Sequence, residues 1–76
     1  MANINDVNRS ILRTARYTGA EVAFSYTAKS DGHERVVVGT VDNVTDNHVT
    51  MLDRVRGNAV RVFILDRVRG SVLRLR

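Results

Sequence analysis

The sequence predicts a mainly β fold, an N-terminal α-helix followed by five short antiparallel strands bent into a small barrel. Two observations carry this. Apolar residues recur at helical spacing up to Gly19 and at a spacing of two after it, and turn-forming residues then divide the chain into strand-length runs. With 76 residues, no Pro and no low-complexity linker, the chain reads as one domain, 1–76, with the helix at about 4–17 and the barrel at about 20–75.

The helix begins at Asn3, which can cap a first turn whose third residue is Asp6. Ile4, Val7, Ile11, Leu12 and Ala15 form its apolar side, and Gly19 stops it. Its other side carries Arg9, Arg13 and Arg16, a stripe that serves either phosphate contact or plain solvation. In the first strand Val22, Phe24 and Tyr26 alternate with Glu21, Ala23 and Ser25, and Ser30-Asp31-Gly32 supplies the turn. Residues 34–45 are rich in Val and Thr, with Gly39 where a bend or bulge is expected, and Thr45-Asp46-Asn47 reads as the next turn.

Three further strands are expected at 48–55, 59–68 and 71–75, separated by Gly57-Asn58 and Gly70-Ser71. This part repeats LDRVRG at 52–57 and 65–70. The thirteen-residue period is too short for a solenoid unit, so the copies read as two hairpin arms of similar chemistry. Along 61–68, period two places Arg61, Phe63, Leu65 and Arg67 on one face and Val60, Val62 and Ile64 on the other. One face can be core; the other is amphipathic and cationic.

Charge is unevenly distributed. Residues 54–76 hold seven Arg and one Asp, whereas residues 1–53 hold five basic and seven acidic side chains. Eleven of the twelve cations are Arg, the exception being Lys29, a bias that favours planar contacts with phosphate or carboxylate. A chain this short buries too little apolar surface for both a large catalytic cleft and a generous core, so self-association would help it. It has no Cys, and no apolar run is long enough to span a bilayer, so a soluble, cytoplasmic protein is expected. Asp42, Asp46 and His48, with His33, could be drawn as metal ligands, but turn and strand-start preferences account for them. With no catalytic triad or phosphate loop in view, neither enzyme activity, a metal nor a cofactor is expected.

Arg61-Val62-Phe63-Ile64-Leu65-Asp66-Arg67-Val68 reads as R-x-F-x-L-D-R-[IV], and this resembles the ending of WYL domains, which are Sm-like barrels. The similarity extends back through Gly32 and Arg35-Val36-Val37, similar to the family's G-x-x-R-x-V stretch, to Val22-x-Phe24-x-Tyr26, similar to its opening strand. The family's Pro after that stretch is replaced near Gly39, and its Trp-Tyr-Leu triplet by His48, Val49 and Thr50. The chain thus looks like a divergent stand-alone copy, of the sort a small phage or accessory gene encodes, serving transcription regulation.

The resemblance implies that the triplet region and nearby basic residues contact a ligand, often a nucleic acid or nucleotide. The expected site comprises Arg35, Arg61, Phe63 and Arg67, with Arg54, Arg56 and Arg69 near the repeated turns and His48 at the triplet position. Arg supplies phosphate contacts and Phe a stacking platform, which suits single-stranded nucleic acid or another anionic ligand. The competing reading puts Phe63 in the core, pairs Asp66 with Arg67 and leaves the other Arg in solvent. Sm-like barrels also have open edges, so strands 59–68 and 72–75 are expected to join copies into a homo-oligomer. The Phe63 and Leu65 face would then be an inter-subunit surface, and the alternative function a ligand-sensing or partner-binding module.

Overall fold

A computed structural model describes residues 3–75. The N-terminal helix α1 spans Ile4–Thr18, and five antiparallel strands follow: β1 Glu21–Thr27, β2 Glu34–Val44, β3 His48–Asp53, β4 Ala59–Ile64 and β5 Val68–Arg74. The strands form one sheet in the order β4-β3-β2-β1-β5. The sheet is open: β4 and β5 are its two edges and do not pair with each other.

The helix ends are set by local chemistry. The Asn3 side chain accepts from the Asp6 amide and the Asp6 carboxylate accepts from the Asn3 amide, a reciprocal cap that satisfies two otherwise free donors. Gly19 closes the helix in the left-handed conformation. The apolar stripe is shifted from expectation. Leu12 and Ala15 are fully buried, whereas Ile4 and Val7 remain largely exposed, and the third buried helical residue is polar Asn8. Asn8 acts as an extra strand partner: its Nδ2 donates to the Gly70 carbonyl and its Oδ1 accepts from the Val72 amide, both at 2.9 Å. Arg9 and Arg16 donate to the Asp46 and Asp42 carbonyls and Arg13 pairs with the Asp46 carboxylate at 3.4 Å, so all three of the helix's Arg brace it against the β2–β3 hairpin.

Inward-facing residues of every strand build a single core with Leu12 and Ala15, including Val22, Phe24, Val37, Val49, Met51 and Val72. Gly39 of β2 stands opposite Asp53, with its backbone tight against Leu52 of β3. A Cβ built there would lie 2.0 Å from the Leu52 carbonyl oxygen, so the position accepts no side chain. The register shift of this pair falls between Val41 and Asn43, beyond Gly39.

The last third departs from the expected strands. Strand 48–55 stops at Asp53 and gives way to a 3₁₀ turn, Arg54–Arg56. The expected strand 59–68 ends at Ile64, because Leu65–Arg67 forms a second 3₁₀ turn. Gly70-Ser71 is not a turn but lies within β5, where Gly70 takes φ 68° beside the register shift opposite Ala23 and Ser25. The two LDRVRG copies therefore differ. The first serves the β3–β4 hairpin, whereas the second carries the chain from one sheet edge to the other and is no hairpin arm. Val55 of the first is exposed; its counterpart Val68 is buried.

Candidate nucleic-acid interface

The inward face of β4 decides the site. Phe63 stands opposite Val49, a fully buried residue, so Phe63 points into the core and is 7% exposed. Its ring packs against Tyr26, centroids 4.7 Å apart, and edge-on against Phe24 at 5.3 Å. Such pairs contribute roughly 0.5–1.5 kcal/mol beyond simple burial. Phe63 is thus chiefly core and offers no outward stacking platform. Leu65 is likewise buried, so the Phe63–Leu65 face is no inter-subunit surface. The residues that β4 turns outward are Val60 and Val62, 66% and 61% exposed, with Ile64 partly so.

Arg61 shares the inward face of β4 but stays partly exposed. Its Nη1 donates to Asp53 Oδ2 at 2.9 Å and its Nη2 to the Tyr26 hydroxyl at 3.2 Å. The guanidinium lies 5.0 Å from the Phe63 ring centroid and 5.7 Å from that of Tyr26, within cation–π range. Hydrogen bonding from Arg61 holds the Asp53 carboxyl below the usual carboxylate range against the opposing effect of burial, and the Val55 amide adds to it. Asp53 in turn raises the Arg61 pKa, so the guanidinium is firmly protonated and fixed in place. Asp31 is also held low, first by the His33 amide and then by Arg35.

Two depressions adjoin at this point. One, of about 180 Å³, is lined by Tyr26, Lys29, Arg61, Phe63, Ile64 and Arg67 among others. The second, of about 320 Å³, is lined by Tyr26, Lys29, Ser30, Arg35, Arg56 and Arg61. They share Tyr26, Lys29 and Arg61 and form one groove with five cations on its walls. Arg35 pairs with Asp31, and Arg56 lies 3.8 Å from Asp53. Lys29 and Arg67 have no ion-pair partner among the described residues.

The groove gathers Arg35, Arg56, Arg61 and Arg67 from the expected set, with Phe63 as part of its floor. Arg54, Arg69 and His48 lie outside it. Arg54 pairs with Glu21 at 2.9 Å. Arg69 stands opposite Ser25 on the outward side of β1, and His48 stands opposite Ile64 at the exposed start of β3. The expected Asp66–Arg67 pair does not form among the described residues; Asp66 accepts from Asn5 Nδ2 at 2.7 Å. Lys29 and Tyr26 were missed as site residues. The signal was there for Lys29, the lone lysine, placed immediately before a turn.

Among the described residues, no three His, Cys, Asp or Glu side chains are grouped to hold a metal, and no helix is long and apolar enough to cross a membrane. No family model and no curated protein matches the sequence. A solved structure does: the proteasome accessory factor B/C (PafBC) of Arthrobacter aurescens matches over 91% of this chain with 25% identity and a TM-score of 0.76. The chain spans 12% of that protein's length. The match supports a WYL-like fold, and does not support the expected stand-alone organisation.

Proposed function

We propose that the chain is a nucleic-acid-binding regulatory module that captures single-stranded RNA or DNA in the groove centred on Arg61, without covalent chemistry or a cofactor. The observation that carries this is the convergence of Lys29, Arg35, Arg56, Arg61 and Arg67 on one groove floored by Tyr26 and Phe63. Two of these cations lack acidic partners among the described residues, so phosphates can engage them without displacing an ion pair. Tyr26 and Phe63 are buried beneath the cations, so capture rests on charge and on hydrogen bonds from the guanidinium and ammonium groups to phosphate. The test is an anisotropy titration of labelled single-stranded RNA, single-stranded DNA and duplex DNA at two salt concentrations. Binding of single strands in preference to duplex, weakening with salt at a slope of about −0.7 per phosphate neutralised, is the expected result. Absence of binding to all three would refute the reading and favour the ligand-sensing or protein-interaction alternative.

A specific observation also favours self-association. Both unpaired edges carry exposed aliphatic side chains, Val60 and Val62 on β4 and Leu73 and Leu75 at β5. Joining β4 of one copy to β5 of the next would pair the free backbone groups and cover these residues, forming a closed ring if the rotation closes.

A further inference from the structure

We propose that the two lobes of the groove form one two-nucleotide site, with the phosphodiester between the nucleotides held at Lys29 and Arg61; this rests on the nucleic-acid reading above. The smaller lobe, about 180 Å³, lies below the roughly 300–1,000 Å³ of ordinary ligand pockets. The larger, about 320 Å³, only just reaches that range, so an occupant of both lobes uses the groove more fully than one confined to either. The cations are arranged to match. Lys29 and Arg61 line both lobes, Arg67 lines only the smaller, and Arg35 and Arg56 line only the larger. Positive charge is thus central and at both flanks, an order in which a central linkage and a phosphate on either side would each meet a cation.

Arg61 is a positioned donor. Asp53 and the Tyr26 hydroxyl fix its guanidinium and Phe63 backs it, while further N–H groups remain for a ligand. Lys29 supplies the mobile counterpart, with three donors and no acidic partner among the described residues. The shared chemistry is two nucleotides joined by one anionic linkage, whether a free dinucleotide or a segment of a longer strand.

The experiment is an NMR titration of the whole chain with thymidine 5′-monophosphate, 5′-phosphorylated dithymidylate, and tetra- and octathymidylate. A fifth ligand is the dithymidylate with a neutral methylphosphonate linkage. Affinity should rise about tenfold from one nucleotide to two and then, per binding register, stay within about threefold. The methylphosphonate should lose about tenfold against the wild type and nothing further against Lys29→Gln, as expected of two groups acting on each other. A dinucleotide equal to the octamer per register assigns a free dinucleotide. A tighter octamer with the step at two retained assigns a strand segment. If the octamer binds but affinity climbs smoothly with length, or the neutral linkage binds as well as the charged one, the two-nucleotide site is overturned and the broader reading survives. If no oligonucleotide binds, both fall.

Discussion

Asp53 and Arg61 join the two strands of the β3–β4 hairpin, Asp53 Oδ2 accepting from Arg61 Nη1 at 2.9 Å while Asp53 Oδ1 accepts from the Val55 amide at 3.0 Å. One carboxylate therefore fixes both the 3₁₀ turn that starts the hairpin loop and the cation at the centre of the groove. Because the folded state lowers the Asp53 pKa, its contribution to stability is present above the unfolded value of about 3.9 and is lost as pH falls through the folded value. Asp31 acts in the same direction. Urea midpoints measured at pH 7, 4 and 2.5 should fall toward acid in the wild type and fall less in Asp53→Asn. Parallel curves for the two proteins would show that the pair does not couple folding to pH.

Asn8 provides a second test, independent of the groove. Replacing it with Ala leaves the Val72 amide and the Gly70 carbonyl without their side-chain partners. The expected cost is about 1–3 kcal/mol, read as a lower urea midpoint, with β5 amides gaining hydrogen exchange before those of β2 and β3. Uniform loss of protection would mean that Asn8 does not act through β5.

At Gly39 the close approach is to backbone, which cannot rotate away. Gly39→Ala should destabilise by about 1–3 kcal/mol or more, because the new Cβ meets the Leu52 carbonyl. Equilibrium unfolding measures this, and an unchanged midpoint would show that β2 and β3 separate at little cost.

The helix, its caps and the first hairpin were legible because short-range chemistry fixes them: Asn3 with Asp6, Gly19, and Asp31 before Gly32. The path after Ile64 was not legible. Two identical LDRVRG segments take different conformations, and only tertiary packing distinguishes buried Val68 from exposed Val55. The face of β4 was ambiguous for a related reason. Val60, Val62 and Ile64 offer a wholly aliphatic face, yet the sheet turns Phe63 inward against Tyr26 and Phe24. Asn8 was invisible as a core residue because its value lies in two β5 backbone groups more than sixty positions away. The groove was partly visible in the Arg-rich third, but Lys29 joins it through the β1–β2 turn, which charge counting along the chain cannot place.

Val60 tests the edge-strand assembly. It is exposed and does not line the groove. Val60→Glu should therefore leave the fold and the groove in place and shift light-scattering mass from oligomer to monomer. A wild-type protein that is monomeric at high concentration, or an oligomer unaffected by the substitution, would remove β4 from the interface.

The most direct measurement of the central claim compares two variants that each remove two positive charges. Lys29→Ala/Arg67→Ala empties the groove walls of their unpaired cations, whereas Arg54→Ala/Arg69→Ala removes the same charge elsewhere on the surface. Against a labelled single-stranded oligonucleotide near physiological salt, the groove variant should lose about tenfold or more in affinity and the control less than about threefold, with a smaller salt slope only in the former. Equal losses in the two variants would mean that net charge, and not the groove around Arg61, does the binding.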